Sequence, residues 1–309
     1  MIIYTHDDCL KKQNGAAHPE RKERLDSIIE SIKSSDIKVE FREAPKANLE
    51  IVSLVHPKKH LEKIFARIPK NGIIGVEKEP YADTMLCPYS KNAILRSCGS
   101  GIAACDDLMN KDQRVFCAVR PPGHHAETVR AMGFCFINNI AVSARYLQKK
   151  YKINKVAIID FDVHHGNGTQ EIFYNDSSVV YGSSHESPLF PGTGSEIETG
   201  VGNIFNATLK AGTKKKEFLS IFETKILHPI DRFKPEVILI SAGFDAHKRD
   251  PLANINLESE DFFQITKLIV DIANTHSNGR VISFLEGGYD LVALSESIRE
   301  HLKALQTHI

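Results

Sequence analysis

The chain of 309 residues carries 39 basic and 39 acidic side chains, and 42% of its residues are apolar. This length can bury one large core or two modest ones, and the apolar content excludes a disordered protein. The net charge is zero, whereas nucleic-acid-binding proteins usually carry an excess of basic residues. We therefore predict no direct contact with nucleic acid. The longest apolar run is five residues, which predicts no membrane segment. The lack of a signal-peptide pattern and of any C-x-x-C pair predicts a cytoplasmic protein with reduced cysteines.

Short runs rich in Val and Ile alternate with longer segments of helical periodicity. This alternation predicts βαβ units that bury a parallel sheet between helices. No repeat or linker interrupts the pattern, so we predict one α/β domain over residues 1–309. In chain order the predicted elements are a strand at 2–4, helices at 20–34, 60–68 and 88–108, a strand at 115–119, a helix at 138–150, strands at 156–160 and 179–183, a helix at 214–232, a strand at 237–241, a helix at 258–275, a strand at 281–285 and a helix at 291–305.

Polar residues follow four of the predicted strands directly. In an open parallel sheet, ligands bind beyond the carboxyl ends of the strands, so these four ends are expected to converge on one site. The segments are RPPGHH (120–125), DFDVHHGNG (160–168), AGFDAH (242–247) and EGGYD (286–290).

Asp160, Asp162 and His164 are spaced two residues apart. In an extended chain such residues project to the same side, and two carboxylates with an imidazole form a metal-ligand pattern. Asp245 from another strand end is the candidate that completes the set. Three protein ligands leave a coordination position open for water, as in catalytic zinc sites.

Two further groups suit hydrolytic chemistry beside such a metal. His124 and His125 follow a Pro-Pro-Gly turn, where an imidazole can act as a base toward water. Tyr289 follows two glycines and suits a donor to a developing oxyanion. Together with the metal ligands, these residues predict metal-assisted hydrolysis of an amide or ester.

The sequence resembles the histone deacetylase superfamily, which includes acetoin-utilisation-type deacetylases and acetylpolyamine amidohydrolases. The resemblance implies the arginase/deacetylase α/β fold, with a central parallel sheet of about eight strands flanked by helices. The matching segments occur in family order and are HPER (18–21), RPPGHHA (120–126), GFCFINN (133–139), DFDVHHGNGT (160–169), FPGTG (190–194), SAGFDAH (241–247), DPL (250–252) and EGGYD (286–290).

The resemblance also implies roles for the residues at the strand ends. His125 corresponds to the general base and later acid, and His124 to its electrostatic neighbour, which Asp160 orients. Asn167 stands where some members have a second aspartate; without that charge, His125 should be a weaker base. Tyr289 corresponds to the oxyanion-stabilising tyrosine. The implied zinc ligands are Asp162, His164 and Asp245, with Fe²⁺ left open as an alternative in the cell.

The resemblance extends to the substrate and to structural potassium. Phe134 and Phe190 correspond to the aromatic pair of an acyl-lysine tunnel, and Gly133 would offer its carbonyl to the scissile amide. Leu252 occupies a position where polyamine-preferring relatives can carry an acid, which favours acyl-lysine in peptides or proteins as the substrate. One potassium site is implied near Asp160, Asp162, His164 and Ser183, and a second near Phe173, Asp176 and Val179.

Three alternatives remain open at this stage. Small acetylated amines such as acetylpolyamines are the alternative substrate. A binuclear manganese ureohydrolase of the same general fold would need further bridging aspartates. A non-catalytic acyl-lysine-binding module is the third, and the complete set of His124, His125 and Tyr289 disfavours it. The sequence leaves the oligomeric state undecided.

Overall fold

The computed structural model describes residues 1–77, 82–111 and 114–307. The strands are β1 Ile2–Thr5, β2 Glu40–Glu43, β3 Ile74–Gly75, β4 Met85–Leu86, β5 Val115–Cys117, β6 Val156–Asp160, β7 Val179–Glu186, β8 Ile204–Leu209, β9 Val237–Ala242 and β10 Val281–Leu285. The helices are α1 Asp7–Lys11, α2 Lys22–Lys33, α3 Leu49–Val52, α4 Lys58–Ala66, α5 Ser90–Lys111, α6 Asn139–Tyr151, α7 Asn167–Phe173, α8 Lys215–Ile221, α9 His228–Phe233, α10 Asp261–His276 and α11 Leu291–Leu305, with a π-helical stretch, Phe222–Leu227, between α8 and α9.

Eight parallel strands form the central sheet in the order β2-β1-β5-β10-β9-β6-β7-β8. Strands β3 and β4 form a separate antiparallel pair. Every residue of β6, β9 and β10 is buried, as expected for parallel strands covered by helices on both faces. The predicted α/β fold with about eight parallel strands is therefore confirmed. In the described part of the chain, none of the helices combines the length and apolarity needed to span a membrane.

Two strands of this sheet were absent from the predicted elements. Strand β2 has the sequence EFRE, and its residues are partly or fully exposed at the sheet edge. It therefore lacks the apolar run from which a strand can be predicted. Strand β8 reads IFNATL and lies at the opposite edge, where polar residues interrupt the apolar pattern. The helix predicted at 214–232 is divided into α8, the π-helical stretch and α9. Pro229 lies in the first turn of α9, and its missing N–H prevents a regular helix from continuing through that point.

The four strands that precede the polar segments are neighbours at the centre of the sheet. Cys117 pairs with Phe284, Phe284 with Ser241, and Ser241 with Asp160. Strands β5, β10, β9 and β6 therefore end at the same level. The segments that follow them meet at one edge of the sheet, as the sequence predicted.

Candidate active site

Three side chains beyond β6 and β9 form a compact acidic cluster. Asp162, His164 and Asp245 are buried, and one potential ligand atom of each lies within 4.8 Å of the others. His164 Nδ1 lies 3.1 Å from Asp162 Oδ1 and 3.1 Å from Asp245 Oδ2. Ligand bonds of about 2.0–2.2 Å to one ion require ligand atoms this close together, so the three side chains could hold a divalent metal such as zinc.

Backbone groups fix the two carboxylates of this cluster. Asp162 accepts hydrogen bonds from the N–H groups of His164, at 2.9 Å, and Gly287, at 2.8 Å. Asp245 accepts one from Val163 N–H at 2.9 Å. A Cβ atom on Gly287 would collide with Asp245 and Asp162, so this backbone approach requires glycine.

The donor set of the cluster fits a divalent metal. Among the described residues, neither Asp162 nor Asp245 forms an ion pair with Lys or Arg, although both are buried. Buried carboxylates need a compensating charge, and oxygen and nitrogen ligands of this kind suit zinc or iron. Over 1–77, 82–111 and 114–307, this is the only group of three or more His, Cys, Asp or Glu side chains with such spacing.

Asp160 lies beside this cluster rather than within it. Its Oδ2 contacts His124 Nδ1 at 3.0 Å and accepts a hydrogen bond from the Tyr181 hydroxyl at 2.9 Å. Its Oδ1 accepts the N–H of Asp162 at 3.1 Å. The sequence analysis expected Asp160, Asp162 and His164 to share one face of an extended strand. Strand β6 ends at Asp160, so this alternation does not continue through Asp162 and His164.

His124 and His125 lie on the turn after β5, with their ring centroids 4.0 Å apart. His125 Nδ1 lies 2.8 Å from Asn167 Oδ1. Asn167 Nδ2 donates to Glu127 Oε1 at 2.8 Å, which fixes the orientation of the amide with its oxygen toward His125. His125 Nδ1 is therefore the protonated nitrogen, and its Nε2 is free to accept a proton.

Glu286, the first residue after β10, holds the turn that carries the histidines. Its Oε2 accepts the N–H groups of Gly123, at 2.7 Å, and His124, at 3.2 Å. Its Oε1 accepts the Ser241 hydroxyl at 3.2 Å. Burial raises the pKa of Glu286 to about 7. The turn after β5, strand β9 itself and the segment after β10 are joined through this one carboxyl group.

The two histidines have opposite electrostatic surroundings. Burial lowers the pKa of His125 well below its usual value, and the neighbouring imidazoles of His124 and His164 lower it further. For His124, burial also lowers the pKa, but the charges of Asp160 and Asp162 outweigh it and raise the pKa to about 10. His125 is therefore the neutral ring of the pair, as a base requires.

Tyr289 is held by groups that the sequence analysis did not single out. Its N–H donates to Asp250 Oδ2 at 2.7 Å. Arg24 donates from Nε to Gly288 O at 2.6 Å and from Nη2 to Glu286 O at 2.5 Å, and its guanidinium lies 4.9 Å from the Tyr289 ring centroid. Desolvation raises the pKa of the Tyr289 phenol well above its usual value, so the hydroxyl keeps its proton.

A cavity of about 230 Å³ leads to these groups from the surface. Phe190 contacts His125 edge-to-face at 5.2 Å between centroids, and Phe134 contacts Tyr289 at 6.1 Å. Gly133 approaches His125 so closely that a Cβ atom would collide with the ring. The four predicted substrate residues therefore lie together. The lining comprises Asp83, His125, Gly133, Phe134, His164, Leu189, Phe190, Leu252 and Tyr289.

The residues expected near potassium occupy two separate places. Ser183, in β7, pairs in register with Asp160, and its hydroxyl lies 2.9 Å from His185 Nδ1. At the second place, the carbonyls of three residues instead accept hydrogen bonds from Asn203 Nδ2, at 2.8, 3.0 and 2.8 Å. An amide nitrogen thus lies where these oxygens converge, which does not fit a bound cation. These three residues are Phe173, Asp176 and Val179.

Sequence reasoning missed several residues that position the site. Arg24, Asp250 and Glu286 lie within or near the matching segments, but their contacts join parts of the chain far apart in sequence. The available signal was a charged residue at a position that periodicity predicts to be buried, such as Arg24 inside a predicted helix. Asp83, which lines the cavity, gave no such signal.

The chain matches the family model for the histone deacetylase domain over residues 18–305. The protein therefore belongs to the histone deacetylase family. The described fold and the placement of the matching segments agree with this assignment.

Individual relatives agree with the family match. Histone deacetylase 10, chloroplastic, from Oryza sativa subsp. japonica is 36% identical over 94% of this chain and 70% of its own length. A probable deacetylase from Archaeoglobus fulgidus is 35% identical over 94% of this chain and 81% of its own. The crystal structure of the HDA15 HD domain has a TM-score of 0.91 at 31% identity, covering 98% of this chain and 87% of that one.

Proposed function

We propose that the protein is a zinc-dependent amidohydrolase that removes acetyl or other acyl groups from the ε-amine of lysine in peptides or proteins. One observation carries the proposal. His164 of the buried cluster Asp162, His164 and Asp245 lines a cavity with aromatic walls that is also lined by His125 and Tyr289. A metal-ligand set, a base and a hydroxyl donor are therefore adjacent.

The proposed mechanism assigns the metal to Asp162, His164 and Asp245. A divalent ion there would polarise the acyl carbonyl and lower the pKa of a water molecule. His125 accepts the proton of the attacking water at Nε2, because Nδ1 already donates to Asn167. The same Nε2 then donates that proton to the leaving amine.

Tyr289 and Gly133 act on the two ends of the scissile amide. The protonated hydroxyl of Tyr289 donates a hydrogen bond to the oxygen that becomes negative as water adds. The carbonyl of Gly133, on the cavity wall next to His125, accepts the amide N–H. These contacts orient the amide between His125 and the metal ligands.

Acyl-lysine is the favoured substrate because of the cavity walls. Phe134, Phe190 and Leu252 surround the alkyl chain of a lysine with apolar surface, and Leu252 offers no charge to a second amine. One observation supports small acetylated amines as the second candidate. Asp83 adds a carboxylate to the cavity lining and could face a cationic amine.

Zinc is the proposed ion, with Fe²⁺ as the alternative in the cell, because both accept oxygen and imidazole ligands. Potassium is proposed only near Asp160 and Ser183. We propose one catalytic domain over residues 1–309 in the cytoplasm; the six cysteines, all buried and free, support a reducing compartment.

An activity profile tests the proposal. The purified protein is assayed on an acetyl-lysine peptide, on longer acyl-lysine peptides and on acetylated polyamines, with and without a chelator, and its metal content is measured. We expect one transition metal per chain, chelator-sensitive turnover and the highest kcat/KM on acyl-lysine. Two metals per chain would indicate the ureohydrolase alternative. Peptide binding without turnover would indicate a non-catalytic module.

A further inference from the structure

The segment at 132–135 contributes Gly133 and Phe134 to one wall of the cavity. Met132 N–H donates to Cys135 O at 3.1 Å, and Cys135 N–H donates to Met132 O at 2.9 Å. The two residues between them both have positive φ, 55° at Gly133 and 68° at Phe134. This is the backbone pattern of a tight hairpin turn of type I′, which Asn-Gly favours and which disfavours phenylalanine.

In such a turn the two central N–H groups point away from the hairpin and need partners elsewhere. Here the partners come from a segment fifty residues earlier in the chain. Gly133 N–H donates to Asp83 Oδ2 at 3.1 Å, and Phe134 N–H donates to Thr84 Oγ1 at 3.0 Å. The Thr84 hydroxyl donates in turn to Asp83 Oδ1 at 2.7 Å, and Thr84 is 1% exposed.

We propose that Asp83 and Thr84 are positioning residues that hold the Gly133–Phe134 turn in its left-handed conformation and thereby set the acyl-lysine wall of the cavity, an inference that rests on the proposed function. They act through the turn: Phe134 provides the ring against the substrate, and Gly133 provides the carbonyl. Without them, both outward N–H groups lose their partners in a largely buried place, and the unfavourable backbone of Phe134 is free to relax.

His18, from the HPER segment, supports the same arrangement from the other side. Its Nδ1 accepts the N–H of Glu20 at 3.0 Å, so Nε2 is protonated and donates to the carbonyl of Asp83 at 3.0 Å. Its ring contacts the Phe134 ring edge-to-face at 4.7 Å. His18 thus contacts both Asp83 and the ring of Phe134, whose turn Asp83 and Thr84 hold.

The first test follows the position of residue 134 without using activity. The chain contains no tryptophan, so Phe134→Trp introduces a single tryptophan into the wall, and its fluorescence can be excited apart from that of the eight tyrosines. In this background, Thr84→Val removes the hydroxyl at nearly constant shape, and Thr84→Ser keeps it. We expect Thr84→Val to increase acrylamide quenching and Thr84→Ser to leave it unchanged. Equal quenching in all three proteins would overturn the proposal.

The second test uses kinetics on an acetyl-lysine peptide with the natural Phe134. Loss of one backbone hydrogen bond predicts a KM about three- to tenfold higher for Thr84→Val, with kcat changed less and metal content unchanged. Thr84→Ser should restore KM. In a Phe134→Ala background, the Thr84→Val effect on KM should become smaller, because the ring is gone and only the Gly133 carbonyl remains to be positioned. An undiminished effect there, or a loss of metal, would contradict a positioning role.

Asp83→Ala removes the acceptor of the Gly133 N–H and serves as an independent variant if Thr84→Val does not fold. It should raise the quenching of the introduced tryptophan in the Phe134→Trp background and raise KM in the natural one. If the wild-type protein hydrolyses no acyl-lysine peptide, the proposed function fails, but the quenching experiment still decides whether Asp83 and Thr84 hold the turn.

Discussion

The metal-ligand cluster and the wall of the cavity are built in different ways. Asp162 and Asp245 lie two and three residues beyond the ends of central strands, and main-chain N–H groups of the neighbouring segments fix their oxygens. Phe134, Phe190 and Leu252 lie on long connections between elements, and Phe190 is 43% exposed. The proposed chemistry therefore relies on residues held by the buried sheet, whereas the proposed substrate contacts come from the connecting loops.

The largest expected effect is at the cluster. Asp162→Ala removes one of the three proposed metal ligands, and the remaining two should not hold the ion. Metal content should therefore fall to background, and kcat/KM on acetyl-lysine should fall by more than about 100-fold. Metal analysis and kinetics measure both. Asp231→Ala, at an exposed carboxylate, is the control and should retain full metal. Full occupancy in Asp162→Ala would contradict the proposed ligand set.

The next effect separates chemistry from metal binding. Tyr289→Phe removes the proposed donor to the oxyanion, and kcat should fall by about 10²–10³ while metal content is unchanged. Tyr89→Phe, at an exposed tyrosine, should behave as the wild type. Wild-type turnover of Tyr289→Phe would rule out the assigned role.

A smaller effect should appear in the pH profile. His125 must be neutral to accept a proton, and burial keeps its pKa low. Asn167→Asp places a negative charge on its Nδ1 side, which favours the protonated ring and raises this pKa by about one unit or more. The acid limb of kcat/KM should therefore move to higher pH. Asn256→Asp, on the surface, is the control; an unmoved limb in Asn167→Asp would exclude His125 as the base.

The smallest effect is expected at the mouth of the cavity. Leu252→Glu adds a charge to the wall and should raise kcat/KM for acetylated polyamines relative to acetyl-lysine by a few-fold, on the order of a partly exposed ion pair. Leu252→Gln changes the side chain without the charge and should not. The gain should shrink at high salt. No change in preference would mean that Leu252 does not face the substrate.

The sequence was sufficient for features that depend on local pattern. Buried parallel strands are continuous apolar runs, and their aligned ends bring Asp162, His164 and Asp245 together. It was insufficient where one side chain meets a distant backbone. The contacts of Arg24 with Gly288, and of Asn203 with three carbonyls, depend on loop paths that no short pattern encodes. The strand β2 was missed because an exposed edge strand needs no apolar residues.

The position of β10 has a consequence for how the protein is made. Although it is the last strand of the described chain, it lies between β5 and β9 in the middle of the sheet. While a ribosome still holds residues 281–290, no strand lies between β5 and β9. The hydrogen bonds of Gly287 to Asp162, and of Glu286 to the turn that carries His124, are then also absent. A nascent chain thus cannot assemble a competent centre early, and a product shortened before β10 should be both unstable and inert.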